Sequence, residues 1–64
     1  MQQLTQAQRD AITVGQIIRF AEEDGEIVEG TVIERWDDRL KIEWHDGHQT
    51  TRVRADASNI VGTV

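Results

Sequence analysis

The chain has 64 residues, of which 38% are hydrophobic and 30% are charged, and its formal net charge is −5 at pH 7. This length predicts one small domain, near the lower limit at which a hydrophobic core suffices without disulfides or metal. The sequence contains no cysteine, which excludes a disulfide framework and a thiolate metal site. The acidic balance counts against strong nonspecific binding of DNA or RNA, because domains that bind phosphates are usually basic.

The sequence shows no run of apolar residues long enough to span a bilayer. Its first residues lack the basic-then-apolar order of a signal peptide. We therefore expect a soluble cytoplasmic protein with no membrane partner.

The charged residues are distributed unevenly along the chain. Five basic residues lie in the second half, Arg35, Arg39, Lys41, Arg52 and Arg54, and they are preceded by a group of six acidic residues, Glu22, Glu23, Asp24, Glu26, Glu29 and Glu34. One interpretation is an ordinary solvated surface, because small domains need charge for solubility. The other is a dipolar molecule whose acidic lobe meets a basic partner.

The N-terminal segment, residues 1–13, is predicted to be helical or frayed. Thr5 and Gln8 are spaced as in a capping box, in which each side chain bonds the other residue's backbone amide, and this predicts a helix over residues 4–12. An isolated helix of this length is marginal in water, so it either docks on the rest of the chain or frays.

Short β-strands are predicted from residue 14 onward. Residues 14–20 form the first strand, and residues 21–25 form an acidic loop that ends in Asp24-Gly25. Residues 26–36 form a long strand, and the isolated Gly30 within it predicts a bulge or a sharp bend.

A hairpin over residues 40–53 is the best-specified structure. Leu40, Ile42 and Trp44 alternate with polar residues, which is typical of a strand with one buried face. Asp46-Gly47 predicts a two-residue type I′ turn, which needs positive φ at both positions. The register that follows pairs Leu40 with Val53, Lys41 with Arg52, Ile42 with Thr51, Glu43 with Thr50, and His45 with His48.

Residues 54–58 are predicted to make one helical or 3₁₀ turn, and residues 59–61 a closing strand. This order of elements resembles the SH3-like small β-barrel of Tudor and KOW modules. The resemblance is carried by Val14-Gly15, by Gly30-Thr31-Val32-Ile33 and by Leu40-x-Ile42-x-Trp44-x-Asp46-Gly47, followed by Val53 and Ile60. It implies an all-β, five-stranded SH3-like barrel over residues 14–64, without a catalytic motif. Trp44-His45-Asp46-Gly47-His48, followed by Asp56-Ala57, is similar to a small actinobacterial family of unknown function.

Trp36 is the leading candidate for a functional residue. It either caps a core that is short of aromatic residues or anchors a partner at the rim of the fold. The predicted partner-binding residues are Trp36, Asp37, Asp38 and Arg39, with the acidic loop at Glu22, Glu23 and Asp24 as a second candidate. The alternative is a Tudor- or KOW-like module that contacts nucleic acid or a transcription complex through a basic strip formed by Arg35, Lys41 and Arg52 beside an aromatic ring.

The remaining site hypotheses are weaker. His45 and His48 flank the predicted turn, but two histidines do not supply the ligands of a closed zinc site, so we expect no metal. The lack of tyrosine counts against an aromatic cage for methylated lysine or arginine. The sequence has no cysteine nucleophile, Gly-rich phosphate loop or H-E-x-x-H motif, so we expect neither an enzyme nor a cofactor. The resulting hypothesis is a phage or bacterial protein-interaction module that modulates a larger complex.

Overall fold

One short helix and five antiparallel strands make up the fold in the computed structural model, which describes residues 4–64. The elements are α1 (Gln6–Asp10), β1 (Ile17–Ala21), β2 (Ile27–Arg35), β3 (Arg39–Trp44), β4 (Thr50–Arg54) and β5 (Ile60–Thr63). The predicted all-β class is thus confirmed. The first three residues of the predicted N-terminal segment lie outside the described residues.

All five strands join one sheet in the order β4-β3-β2-β1-β5. The long strand β2 pairs with β1 through residues 27–31 and with β3 through residues 30–35, so it serves both halves of the sheet. Within residues 4–64 no pairing joins β4 to β5. The sheet therefore stays open, and closure into the predicted barrel is not observed.

The register of the β3–β4 hairpin is the predicted one, from Leu40 opposite Val53 to Glu43 opposite Thr50. The predicted two-residue turn is wrong. The amide of Trp44 donates to the carbonyl of Gln49 at 2.9 Å, which leaves a four-residue loop over residues 45–48. In this loop φ is positive at Gly47 (83°) and His48 (58°), and among the described residues His48 is the only non-glycine with positive φ.

The wider loop has a physical cause in the neighbouring strand. The amide of His45 donates to the carbonyl of Glu29 at 3.0 Å, and its ring Nε2 lies 2.8 Å from Thr31 Oγ1. Both contacts hold His45 against β2. The predicted cross-strand pairing of His45 with His48 is therefore replaced by contacts with β2.

Gly30 is not the site of the predicted bulge. It pairs regularly with Ile18 on one side and with Trp44 on the other. A Cβ atom at this position would lie 2.8 Å from Trp44 Cε3 and still closer to the side chain of Ile42. Gly30 is therefore needed for close packing of the inner side chains of β3 against the backbone of β2.

The irregularity of β2 falls instead at Ile33. The pairing with β3 shifts between Val32 and Glu34, so one extra residue stands on the β2 side. Because side chains alternate between the faces of a strand, one extra residue exchanges the faces of everything that follows it. Arg35 now lies opposite the buried Leu40, on the core face. Trp36, the next residue, projects from the outer face.

The core lies between the inner face of the sheet and the segments that cover it. Its buried members are Ile12, Ile18, Val32, Leu40, Ile42, Ala55 and Ile60, and Leu4, Phe20, Trp44, Val53 and Ala57 pack against them. The shared inner face predicted for Leu40, Ile42, Trp44 and Val53 is thus confirmed.

Helix α1 is docked on this core. Its predicted capping box is present: the amide of Gln8 donates to Thr5 Oγ1, and the amide of Thr5 donates to Gln8 Oε1. The buried Arg9 donates from Nη1 to the carbonyl of Ala57 at 2.6 Å and from Nη2 to that of Ile60 at 3.5 Å. These bonds join the helix to Ala57, in the segment between β4 and β5, and to Ile60, the first residue of β5.

The segment between β4 and β5 makes two successive turns, and the first lies within residues 54–58, where one helical or 3₁₀ turn was predicted. The amide of Ala57 donates to the carbonyl of Arg54, and the amide of Ile60 donates to the carbonyl of Ala57, each at 3.1 Å. Both are bonds between residues three apart, the pattern of a 3₁₀ turn.

Candidate functional site: the exposed face around Trp36

The predicted partner-binding residues lie together in the tight turn between β2 and β3. Trp36, Asp37, Asp38 and Arg39 are all exposed. The amide of Trp36 donates to the carbonyl of Arg39 at 2.9 Å, which closes the turn, and the carbonyl of Asp38 accepts from the amide of Ala55 at 2.9 Å. The second bond fastens the turn to the residue that follows β4, so the turn is held at both its base and its tip.

Trp36 is a surface residue rather than a cap on the core. Its side chain is 43% exposed, and it takes no part in the described core cluster. The aromatic rings that pack on the core are Phe20 and Trp44, which meet edge to face at 5.2 Å between centroids. The Ile33 bulge is the cause, because regular alternation from Val32 would direct Trp36 inward.

A guanidinium group lies over the Trp36 ring. The Cζ atom of Arg52, on β4, is 5.6 Å from the ring centroid, within the range of a cation–π contact. Trp36, Arg39 and Arg52 line an open cavity of about 320 Å³. We call these three residues, with Asp37 and Asp38, the Trp36 site. Its residues lie in the turn between β2 and β3, on β3 and on β4, so they come together only in the folded sheet.

Four cations lie close together on the outer face of β3 and β4, and two of them, Arg39 and Arg52, belong to the Trp36 site. Arg39 stands opposite Arg54, and Lys41 stands opposite Arg52. Like charges directly opposite each other on antiparallel strands are destabilising. The sheet therefore carries two consecutive unfavourable pairs at this point.

Carboxylates compensate two of the four cations. Lys41 Nζ lies 3.7 Å from a Glu34 oxygen, and Arg54 Nε donates to Asp56 Oδ1 at 3.0 Å. The bond to Arg54 lowers the pKa of the Asp56 carboxyl and raises the pKa of the guanidinium, and the charge of Asp38 contributes further to the latter. In the described part of the chain, Arg39 and Arg52 form no such ion pair.

The three residues of the predicted nucleic-acid surface do not all meet. Lys41 and Arg52 are cross-strand neighbours on the outer face. Arg35 lies on the core face, where its Nη1 atom donates to the carbonyls of Arg9 at 2.9 Å and Ile12 at 3.0 Å. Its guanidinium thus binds the backbone at the end of α1 and immediately after it, and is separated from the other two cations by the sheet.

The acidic loop, which was the second predicted partner-binding candidate, is separate from the Trp36 site. Within residues 4–64, the only cluster of three side chains with metal-ligand spacing is Glu22, Asp24 and Glu26, in and beside the acidic loop. All three are exposed, and Asp24 Oδ1 accepts the amide of Glu26 at 2.9 Å. The loop is closed by the amide of Glu22, which donates to the carbonyl of Glu26 at 2.8 Å. Exposed carboxylates of this kind are ordinary surface charge.

Sequence reasoning missed a cavity of about 610 Å³ beside the β3–β4 loop. Its lining residues are Glu22, Ile27, Val28, Glu29, Trp44, His45, Asp46, Gln49 and Thr51. The indole Nε1 of Trp44 donates to Thr51 Oγ1 at 3.0 Å on this side. The order of the predicted strands was a signal for this cavity. When successive strands pair antiparallel, the acidic loop that precedes β2 comes close to the end of β3.

Comparison of the chain with models of known protein families, with curated proteins and with solved structures finds no match. The helical part of residues 4–64 is too short and too polar to cross a bilayer.

Proposed function

We propose that this chain is a non-enzymatic protein-interaction module of the SH3-like class, and that it binds its partner through the Trp36 site. Five antiparallel strands, with β2 shared between both halves of the sheet, support the SH3-like architecture. The observation that carries the function is a 43% exposed indole under a guanidinium at a doubly anchored turn. A module of this size acts by occupying a surface of a larger complex.

The composition of the site supports this function. Tryptophan and arginine are the residue types most enriched among those that dominate binding energy at protein interfaces. The indole is already oriented by its contact with Arg52 and by the short turn, so little side-chain entropy is lost on binding. A partner that covers the ring removes apolar surface from water and gains the largest single contact that this face offers.

A second candidate function is contact with nucleic acid, which the adjacency of Lys41, Arg52 and the Trp36 ring favours. Exposed aromatic rings beside cations are the usual elements of single-strand binding surfaces. The carboxylates of Asp37 and Asp38 in the same turn, and the net charge of −5, oppose it. Protein binding is therefore the proposal that the charge distribution favours.

The test is capture of a partner from a lysate of the organism that encodes the chain, with Trp36→Ala compared with wild type. The matched control is Ile27→Ala, which removes another exposed apolar side chain (48% exposed) outside the turn. We expect Trp36→Ala to weaken binding by about 2 kcal/mol, roughly thirtyfold, and Ile27→Ala to leave it unchanged.

Two measurements make the outcome decisive. Urea unfolding of each variant confirms that the compared proteins are folded. Nuclease treatment of the lysate and a salt series separate protein from nucleic-acid partners, because phosphate contacts weaken steeply with salt. Equal recovery of the partner by wild type and Trp36→Ala would show that the site is not the interface.

A further inference from the structure

The outer face of β3 and β4 concentrates positive charge on an otherwise acidic molecule. Two cation pairs face each other across the strands, Arg39 with Arg54 and Lys41 with Arg52. Such an arrangement lowers the stability of the hairpin. Residues that oppose local stability are expected where a binding function requires them.

On the outer face of β3 and β4, the positive charge without an ion pair within residues 4–64 is confined to one place. Lys41 is paired with Glu34 and Arg54 with Asp56, whereas Arg39 and Arg52 have no ion pair in residues 4–64. Arg39 and Arg52 are also the two cations that line the cavity with Trp36. The cavity therefore joins two unpaired guanidinium groups to one apolar aromatic surface.

We propose that the Trp36 site binds an acidic protein segment, in which a carboxylate lies between Arg39 and Arg52 and a neighbouring apolar side chain packs on Trp36. This inference rests on the proposed function and adds the chemistry of the partner. A carboxylate relieves the repulsion on the outer face, and the planar fork of arginine donates two parallel hydrogen bonds to it.

The same charges argue against a phosphate backbone as the ligand. Affinity for nucleic acid is built from many phosphate contacts, each of which releases counterions. Among residues 4–64, two guanidinium groups without an ion pair border the cavity, whereas Asp37 and Asp38 precede Arg39 in the turn and Glu43 lies on β3. A longer polyanion on this face would meet these carboxylates as well. A short segment with one or two carboxylates avoids most of this repulsion.

The experiment is an NMR titration of the ¹⁵N-labelled chain at low salt with a capped peptide, Gly-Ser-Glu-Leu-Glu-Ser-Gly. The comparison ligands are the same peptide with Gln for both Glu, the same peptide with Ala for Leu, and an oligothymidylate. We expect the acidic peptide to shift the indole Nε1–H of Trp36 and the Nε–H signals of Arg39 and Arg52. Each comparison ligand should bind more weakly than the acidic peptide.

Substitutions separate the planar fork from simple charge. Arg52→Lys keeps the charge but loses bidentate geometry, and we expect it to weaken binding of the acidic peptide about tenfold. Arg19→Lys is the matched control, because Arg19 is exposed and already paired with Glu29 at 3.3 Å. It should leave the affinity unchanged.

Three results would overturn the inference in distinguishable ways. If the Gln peptide shifts Trp36 as strongly as the acidic one, the carboxylate is refuted while the proposed binding face stands. If the oligothymidylate binds more tightly than the acidic peptide, the ligand is a nucleic acid. If none of the ligands shifts Trp36, the acidic-segment inference fails, and partner capture still tests the proposed function separately.

Discussion

Replacing Arg35 tests the assignment of faces on which the Trp36 site depends. Arg35 lies one residue before Trp36, and the Ile33 bulge places it on the core face. There its Nη1 atom donates to the carbonyl of Arg9 at 2.9 Å and to that of Ile12 at 3.0 Å. Arg35→Ala removes the donor and leaves two partly buried carbonyls without it.

The expected cost follows from these contacts. A hydrogen bond from a charged group contributes about 1.5–3 kcal/mol, and a cation at a helix C-terminus adds about 0.3–1 kcal/mol. Both bonds of Arg35 are made by one nitrogen, so their contributions do not simply add. We therefore expect Arg35→Ala to lower the free energy of unfolding by about 2–4 kcal/mol. A domain of 64 residues has a total stability of roughly 3–10 kcal/mol, so this is a large fraction of it.

Urea unfolding followed by tryptophan fluorescence and circular dichroism measures this loss. With a slope of about 1 kcal/mol per molar urea, the urea concentration at the unfolding midpoint should fall by about 2 M or more. Arg39→Ala is the control, because Arg39 is exposed on the outer face, and removing its repulsion with Arg54 should at most raise the stability slightly. If Arg35→Ala proved as stable as Arg39→Ala, Arg35 would not hold α1, and the exchange of faces at Ile33 would be wrong.

Two further predictions concern packing and pH. Gly30→Ala should destabilise the fold by about 1–3 kcal/mol in urea unfolding, because the added Cβ clashes with the inner side chains of β3. Gly62→Ala, in β5, has nothing within 4 Å of its Cβ and should be neutral or slightly stabilising; an equal loss in both variants would contradict the packing argument. In ¹³C NMR, the Asp56 carboxyl should titrate below its ordinary pKa of 3.8, and Arg54→Gln should return it towards that value. Because the folded-state pKa is lowered, the pair stabilises the fold above pH 3.8 and this contribution is lost as the pH falls through the lowered pKa. If the titration midpoint of Asp56 were the same in Arg54→Gln as in wild type, Arg54 would not be the cause of the lowered pKa.

The β3–β4 hairpin was predictable because several local signals agree. The alternation of Leu40, Ile42 and Trp44 admits one inner face, and a shift of one residue would expose all three. The pairing is therefore specified by burial, and it survives even though the predicted turn type is wrong. The turn type depended on contacts of His45 with β2, which lie outside the hairpin.

The Trp36 site was predictable only in part. Its turn residues are adjacent in sequence, so a turn with an aromatic residue and two aspartates could be located directly. The position of Arg52 over the ring depends on the hairpin register and on the face from which Trp36 projects. No local residue type marks the bulge at Ile33, since Gly30 was the expected position and isoleucine is an ordinary strand residue.

The bulge at Ile33 links the stability of the fold to the presentation of the site. Val32 is buried, so strict alternation would direct Arg35 outward and Trp36 inward. One extra residue reverses both: Arg35 reaches the backbone at the end of α1, and the indole of Trp36 meets Arg52 on the outer face. Arg35 and Trp36 change faces together, because adjacent side chains of a strand point to opposite faces and a shift in pairing affects both. The bonds from Arg35 to the N-terminal segment therefore favour the same register that exposes Trp36, and docking of α1 stabilises the strand geometry on which this exposure depends.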